Sequence, residues 1–348
     1  MAFPEATPEL PVSPAEIDLF LSRPNEAVCD ALRNLEGDIV VLGAGGKMGL
    51  HLSLMLKFAV DELGQANRVI AVSRFGNLKS KTEYEQHGIE TVAGDLRDEA
   101  FVKSLPEAPT VFYLVGAKFG TADRPDLLHE TNVVLAERLA YRYRNARIVA
   151  FSTGCVYSFV TPGSGGSHEG SPTNPVGEYA QSCLQREACF EAASQRYDTP
   201  VVLIRLNYAV EFRYGVLVDI ASKVLRGEAV DVSTGFVNFI WQNDALCQIV
   251  QSLALAQAPA IPLNITGADI LSVRELAEEF GKKFGRPVKI DGEEGETAWL
   301  SNAARSHRLF GEPSVEVDTM IDWVAAWLTS GGGTYGKPTG FEKRDGKF

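Results

Sequence analysis

The 348-residue sequence predicts an α/β protein with a doubly wound parallel sheet and a smaller C-terminal lobe. An apolar run at residues 38–42 stops at Gly43, and a glycine-rich turn then leads into a helical pattern over residues 48–63. Short β-type runs alternate with helical patterns as far as Leu206, which is typical of parallel strands joined by helical crossovers. Beyond Leu206 the pattern is looser, and this predicts the smaller lobe.

Each element follows from a local signal. Ser13-Pro14 is a typical start for a short helix through Leu21, and residues 25–35 carry a second helical pattern. After the first strand, further strands are predicted at residues 68–73, 91–93, 110–115, 147–152 and 200–206. Helices are predicted at residues 127–143, 178–197, 217–225, 244–256, 273–284 and 319–329. At least six strands are therefore expected in the sheet.

These elements divide the chain into four regions. They are an N-terminal helical extension (1–37), the sheet domain (38–210), a small substrate-binding lobe (211–330) and an irregular, Gly-rich and charged tail (331–348). A return of the chain to the sheet domain within residues 211–330 is left open. A Gly/Ser/Pro-rich loop at residues 160–177 is long for a compact domain, so we expect it to border the substrate entrance.

Composition narrows the functional class. A net charge of −12 argues against a nucleic-acid partner or an anionic membrane surface. There is no apolar run of membrane-spanning length and no secretory signal pattern, so a cytoplasmic location is the default expectation. The five cysteines are scattered without a C-x-x-C pair, and no cluster has metal-ligand spacing, so neither disulfides nor a metal site is expected. A small-molecule partner is the leading hypothesis.

The glycine-rich turn predicts a dinucleotide site. Gly43 permits a tight turn, Gly46 allows close approach of a pyrophosphate, and Gly49 lets the following helix pack against the strand. Backbone N–H groups at the helix start would bind the anion. The alternative is a glycine-rich turn that binds nothing.

The end of the second strand bears on which dinucleotide is bound. Ser73-Arg74 stands where an acidic residue would contact the ribose 2′-hydroxyl of NAD. Serine and arginine would instead bind a 2′-phosphate, so NADP is favoured and NAD remains possible. The alternative is that Arg74 is a solvated residue at a strand end.

Several short motifs, taken in order, resemble the extended short-chain dehydrogenase/reductase superfamily, the NAD-dependent epimerase/dehydratase family. They include the glycine turn, Gly94-Asp95-Leu96, the 114–118 segment, Thr131-Asn132-Val133, the 152–157 segment and the Tyr179 helix, and the resemblance spans about residues 38–328. It implies a Rossmann-like, NAD(P)-binding sheet domain. The cofactor contacts that the turn and the resemblance together predict are Gly43, Gly45, Gly46, Lys47, Met48, Gly49, Ser73, Arg74, Asp95, Leu96, Val115, Gly116, Lys118, Asn132 and Tyr179.

The resemblance also implies catalytic roles. Thr153, with Ser152 beside it, would hydrogen-bond the reacting oxygen, and Tyr179 would be the general acid/base during hydride transfer. The chain departs from the family pattern because Cys183 replaces the lysine of the Y-x-x-x-K pair. Lys118 is a candidate for the missing charge, although a cofactor contact is its more expected role. Cys183 could be a nucleophile, but a packing thiol is the more ordinary interpretation.

Substrate contacts are predicted after the sixth strand and in the long loop. They are Asn207, Arg213, Tyr214 and His168. Arg213 would pair with a carboxylate or phosphate unless it is a surface arginine, and His168 would line the entrance unless it is merely solvated. Residues 239–244 (Phe-Ile-Trp-Gln-Asn-Asp) resemble a substrate-lobe motif of the family. The arginine that nucleotide-sugar enzymes often carry just before this motif is absent, and Val237-Asn238 stands there, so a diphosphate substrate is less expected.

Three functions fit these observations. The first is an NAD(P)-dependent oxidoreductase or epimerase acting on a sugar, sugar acid or lactone. The second is a catalytically silent NADP-binding sensor or scaffold of the same fold. The third is a retaining or dehydrating reaction that uses a tightly held cofactor without net turnover of that cofactor. The helices at residues 127–143 and 178–197 usually form a four-helix dimer interface in the family, so a homodimer is expected.

Overall fold

The computed structural model describes residues 10–76, 78–118 and 124–346. The strands are β1 (Ile39–Leu42), β2 (Val69–Ser73), β3 (Glu90–Ala93), β4 (Thr110–Tyr113), β5 (Arg147–Thr153), β6 (Val201–Leu206), β7 (Ala209–Val210), β8 (Ala229–Asp231), β9 (Phe236–Val237), β10 (Ile240–Trp241), β11 (Ile261–Ile265), β12 (Leu271–Ser272) and β13 (Lys289–Asp291).

The helices complete the element order. They are α1 (Pro14–Phe20), α2 (Glu26–Leu32), α3 (Gly49–Glu62), α4 (Thr82–Glu85), α5 (Glu99–Ser104), α6 (Pro125–His129), α7 (Leu135–Arg142), α8 (Gly177–Tyr197), α9 (Val216–Arg226), α10 (Gln242–Gln251), α11 (Val273–Phe284), α12 (Ala304–Phe310) and α13 (Val317–Thr329). A π-helical turn at Glu130–Val134 joins α6 to α7. Among the described residues, no helix is long and apolar enough to cross a bilayer.

The central sheet has seven parallel strands in the order β11-β6-β5-β4-β1-β2-β3. The strand order reverses between β1 and β4, which makes the carboxyl ends of these two strands the topological switch point where such sheets bind ligands. The doubly wound α/β class predicted from the sequence is confirmed. All six predicted strands are present. The apolar runs of five of them are buried in the sheet, whereas the edge strand β3 is partly exposed.

The seventh strand comes from the region expected to form the small lobe. β11 pairs in parallel with β6, and α10, which precedes it, contributes residues such as Leu246 and Ile249 to the core beneath the sheet. The chain therefore returns to the sheet domain before entering the lobe again at β12. The small lobe has its own core, built on α9, α11 and α13.

A buried charge cluster fixes the N-terminal extension to the rest of the chain. Asp18 in α1 lies 2.8 Å from His51 in α3, 2.8 Å from Arg213 and 2.5 Å from Lys79. Burial raises the pKa of the Asp18 carboxyl, but these three partners together outweigh it and hold that pKa below its ordinary value. The extension is thus part of the folded unit.

Candidate active site

The glycine turn between β1 and α3 is shaped by close backbone contacts. Gly43 has φ +79°, and a Cβ there would lie 2.8 Å from the Val115 nitrogen. A Cβ on Gly49 would collide with the Ala44 carbonyl oxygen. Only glycine fits these two positions, so the start of α3 is held close to the carboxyl ends of β1 and β4.

A residue that the sequence analysis missed supports this turn. The Tyr84 side chain in α4 has no exposed surface, and its hydroxyl donates a 2.6 Å hydrogen bond to the Ala44 carbonyl oxygen. Its ring packs edge-on against Phe75 in the loop after β2. Tyr84 therefore links the turn to the end of the second strand. An aromatic residue in a four-residue helix carries no sequence signal for this contact.

The predicted adenosine-side residues lie at the ends of β2 and β3. The Ser73 hydroxyl accepts a 3.4 Å hydrogen bond from the Phe75 nitrogen, and Arg74 is exposed. Asp95 forms an ion pair with Arg97, which lowers the pKa of Asp95 to about 2 and keeps it ionised. Leu96 is buried in the sheet core. Ser73 and Asp95 are thus close enough in the fold to border one ligand, because β2 and β3 are neighbouring strands.

The loop after β4 is clamped from two sides. Asn132, in the π-helical turn, accepts a 2.7 Å hydrogen bond from the Ala117 nitrogen and donates to the Ala117 carbonyl oxygen and the Ser182 hydroxyl. The amide of Asn132 therefore holds the loop against α8, and the predicted direct cofactor contact is replaced by a positioning role. Val115 and Gly116 meet Arg186 of α8, whose Nη1 donates a 3.0 Å hydrogen bond to the Val115 carbonyl oxygen.

The predicted catalytic residues of β5 have different surroundings. Thr153 ends the strand, is 8% exposed, and accepts a 3.2 Å hydrogen bond from the Cys155 nitrogen. The Ser152 hydroxyl instead donates to Glu187, which is held by Arg205 in a buried ion pair of 2.7 Å. Neighbouring residues of a strand point to opposite faces, so Ser152 and Thr153 face different surroundings, and the role of Thr153 beside the reacting oxygen stays a prediction.

Tyr179, Cys183 and Arg186 share one face of α8. They are four and three residues apart, so their side chains follow each other along the helix. Burial raises the pKa of Tyr179 well above its ordinary range, and a hydrogen bond to the Cys183 thiol raises it further, whereas Arg186 lowers it. Burial also raises the pKa of Cys183, which favours the neutral thiol over a nucleophilic thiolate.

Arg186 is the charged residue that the sequence analysis did not consider. It is 6% exposed, and its Nη2 lies 3.3 Å from the Cys183 sulfur. Its Nε has no hydrogen-bond partner within the described part of the chain. The spacing from Tyr179 could have revealed it, because a residue seven positions further on lies on the same helical face.

Two lysines give the turn a local positive charge. Lys47 lies in the turn with its Nζ 2.8 Å from the centre of the Tyr214 ring, and within the described ranges no carboxylate lies within ion-pair distance of it. Burial lowers the pKa of Lys47, and the neighbouring Lys118 lowers it further. An ammonium group placed like that of Lys47 suits a bound anion, so Lys47 and the glycine cradle fit a dinucleotide pyrophosphate.

The predicted substrate residues divide into two groups. Asn207 is buried beside Gly154 and donates a 2.8 Å hydrogen bond to Asn238, and Tyr214 stacks on Lys47, so both border the carboxyl edge of the sheet. Arg213 is 4% exposed and is bound by Glu211 and Asp18, which corrects both expectations for it, a substrate contact and a surface arginine. Its guanidinium is already neutralised by two carboxylates.

The long loop is anchored more firmly than an entrance lid requires. Val160 and Ala298 exchange two 2.9 Å backbone hydrogen bonds, and the Ser167 nitrogen donates to the Leu300 carbonyl oxygen. His168 is exposed, and its Nδ1 accepts from the Gly170 nitrogen. A role for His168 at the entrance stays a prediction.

Comparison with known proteins identifies the family of this chain. The family model described as NAD dependent epimerase/dehydratase family matches residues 39–231, more than half of the chain. No curated protein sequence gives a match.

Solved structures of low sequence identity share the fold. MoeE5 in complex with UDP-glucose and NAD is 20% identical with a TM-score of 0.68, covering 85% of this chain and 99% of that chain. The UDP-glucuronic acid 4-epimerase from Bacillus cereus in complex with NAD is 16% identical with a TM-score of 0.71, covering 84% and 99%. DesIV, a dTDP-glucose 4,6-dehydratase from Streptomyces venezuelae with NAD and TYD bound, is 19% identical with a TM-score of 0.71, covering 84% and 97%. The chain belongs to the NAD dependent epimerase/dehydratase family of enzymes.

Proposed function

We propose that this protein is an NAD(P)-dependent oxidoreductase or epimerase that acts on a hydroxylated small molecule, namely a sugar, sugar acid or lactone. When bound, the nicotinamide accepts or returns a hydride. Tyr179 moves the proton of the reacting hydroxyl, and Thr153 orients its oxygen. The observation that carries the proposal is the helical face on which Tyr179, Cys183 and Arg186 follow one another beside the loop after β4.

Arg186 supplies the positive charge that a lysine at position 183 would give. The guanidinium is buried, stays charged at any working pH, and reaches the phenol through the Cys183 thiol. It also holds the Val115 carbonyl, so the loop that would border the nicotinamide and the acid/base are fixed by one side chain. Arg186 is thus a positioning residue for Tyr179.

The choice between NAD and NADP rests on the end of β2. Ser73 and the exposed Arg74 favour NADP by their chemistry, because no carboxylate stands at that strand end. The three solved relatives named above were bound to NAD. Parallel titrations with NAD and NADP decide this point, and Arg74→Ala should weaken NADP binding while leaving NAD binding unchanged.

We also propose a homodimer formed through α7 and α8. The two helices pack side by side, and Tyr141 of α7, which is 55% exposed, makes an edge-on ring contact with Tyr197 of α8. Exposed tyrosines are enriched in protein interfaces because they bury a large apolar area and keep a polar end.

The test of the function is turnover. The purified protein is titrated with NAD and NADP, and a panel of sugars, sugar acids and lactones is screened by nicotinamide absorbance and by product analysis, which detects epimerisation without net redox change. Tyr179→Phe should abolish turnover while dinucleotide binding persists.

Two other results of this experiment would count against the proposed function. Binding of neither dinucleotide would refute the proposal. Dinucleotide binding with no turnover on any panel member, in wild type as in Tyr179→Phe, would favour the silent sensor, because Cys183 stands where the family lysine is expected.

A further inference from the structure

The C-terminal segment, residues 334–346, lies along the cleft between the sheet and the small lobe. The Tyr335 nitrogen donates to the Arg213 carbonyl oxygen at 3.1 Å, and the Thr339 carbonyl oxygen accepts from Lys118 Nζ at 3.1 Å. Further on, Gly346 packs on Gly177 at the start of α8, where a Cβ would lie 2.7 Å from the Gly346 oxygen. The C-terminal segment therefore contacts the loops after β7 and β4 and the first turn of the Tyr179 helix.

The C-terminal segment is anchored in the small lobe like a core element. The Thr339 nitrogen and hydroxyl both donate to one Asp219 oxygen, at 2.7 and 2.6 Å. Phe341 is 1% exposed and belongs to the same apolar cluster as Val232 and Val237. The backbone is irregular, and residues 339–341 and Gly346 are buried, whereas residues 336–338 are exposed.

Polar groups of the lobe are also engaged by the C-terminal segment. Lys223 pairs with Glu342 at 3.5 Å, and the Ser233 and Thr234 hydroxyls both point to the Glu342 carbonyl oxygen. Arg344 donates to Thr297 and packs over the Phe159 ring. A diphosphate needs unengaged cations or N–H groups, and a base needs an apolar slot. In this part of the lobe the C-terminal segment engages the polar groups, and Phe341 covers the apolar surface.

We propose that residues 334–346 form a fixed wall of the substrate site and restrict the enzyme to substrates without an attached nucleotide. The C-terminal segment fills the small-lobe side of the cleft, and the space beside Thr153 and Tyr179 is left for a free sugar, sugar acid or lactone. This inference rests on the function proposed above and narrows its substrate class. Phe341 and Thr339 hold the C-terminal segment in this position, because Phe341 is buried in the apolar cluster of the lobe and Thr339 donates to the Asp219 carboxylate.

Binding of UDP-glucose is the first test, measured by calorimetry in the presence of dinucleotide. The full-length protein should not bind or turn over UDP-glucose at millimolar concentration, while a free substrate from the panel is turned over. Micromolar binding of UDP-glucose to the full-length protein would overturn the inference.

Variants distinguish a segment that forms part of the substrate site from a segment that inhibits the enzyme. A chain ending at Gly333 should raise KM for the free substrate at least tenfold, and Thr339→Val should raise it several-fold. Thr329→Val, at an exposed threonine of α13 outside the C-terminal segment, is the matched control and should change nothing. A higher kcat with unchanged KM after truncation would mean that the C-terminal segment inhibits, and the inference would be wrong.

Hydrogen exchange on the unmodified protein decides the matter even where a variant does not fold. The Thr339 and Phe341 amides, which donate to Asp219 and to the Thr339 hydroxyl, should exchange as slowly as those of α9, with or without dinucleotide. Exchange at the rate of an unstructured tail would overturn the inference. Loss of dinucleotide binding would instead refute the proposed function and leave this measurement unaffected.

Discussion

The guanidinium of Arg186 should determine how readily the Tyr179 phenol loses its proton. Arg186 lies 3.3 Å from the Cys183 sulfur, and the thiol is hydrogen-bonded to the phenol. Two successive hydrogen bonds place the charge about 6 Å from the phenolic oxygen. At an effective dielectric constant of about 20, a unit charge at that distance stabilises the tyrosinate by about 3 kcal/mol. Arg186→Leu should therefore raise the pKa of Tyr179.

The measurement is an ultraviolet titration of tyrosinate, with Tyr179→Phe used to isolate the signal of this phenol. Because burial already raises the pKa of Tyr179, the oxidation rate of wild type should climb with pH without a plateau in the neutral range. Arg186→Leu should slow oxidation about 100-fold at a given pH. Arg186→Lys should restore much of the rate, and Arg196→Leu, an exposed residue of the same helix, is the control. The reasoning fails if Tyr179 titrates at the same pH in wild type and Arg186→Leu.

Three further predictions concern the scaffold. Asp18→Asn should lower the free energy of unfolding in urea by about 3 kcal/mol, because it leaves buried cations without their carboxylate, whereas Asp30→Asn at an exposed ion pair should cost less than about 1 kcal/mol. The Asp18 pKa is lower in the folded chain than its ordinary 3.8, so this contribution is complete above that value and is lost as pH falls below it; equal effects of the two variants would contradict the prediction. Tyr84→Phe should cost about 1–2 kcal/mol and weaken dinucleotide binding in calorimetry, since the Ala44 carbonyl loses its donor, and an unchanged affinity would show that other contacts hold the turn. Tyr141→Glu should shift the mass measured by light scattering from dimer to monomer, and a dimer that persists would place the interface elsewhere.

The interior strands of the central sheet could be predicted because they are largely buried on both faces and therefore read as continuous apolar runs. The starts of α1 and α2 were also predictable, because serine and asparagine are favoured N-cap residues and the side chains of Ser13 and Asn25 cap these helices. The seventh strand was not predicted. β11 is an edge strand that contains Pro262 and Asn264, and a proline is tolerated only at such an edge, so its sequence lacks the signal of an interior strand.

The sequence predicted which residues the candidate site contains better than it predicted the contacts that those residues make. The glycine turn follows from its spacing after β1, and the roles expected for Thr153 and Tyr179 follow from the resemblance to the family. The partners of Arg213 and Asn132 are 195 and 50 residues distant along the chain, at Asp18 and Ser182, so no local pattern could show that these polar side chains are already bound. The C-terminal segment was unpredictable for the same reason, because its single buried aromatic residue, Phe341, gives no periodic signal.

The cysteine at position 183 and the arginine at position 186 are best understood as one arrangement. A lysine at 183 would bring an ammonium group close to the guanidinium that now lies 3.3 Å from the Cys183 sulfur, in a site closed to water. Like charges at that distance repel strongly where solvent cannot screen them. Cys183→Lys alone should therefore lower the free energy of unfolding and reduce turnover instead of restoring a family-like pair.

The double variant Cys183→Lys with Arg186→Leu removes that repulsion and leaves one cation beside Tyr179. In a double-mutant cycle of urea unfolding and turnover, we expect it to be more stable and more active than Cys183→Lys. Additive effects of the two changes would mean that the residues act independently, and that Arg186 does not stand in for the lysine. A favourable coupling would instead mean that the catalytic charge has moved one helical turn along α8, with the small neutral thiol as the link to the phenol.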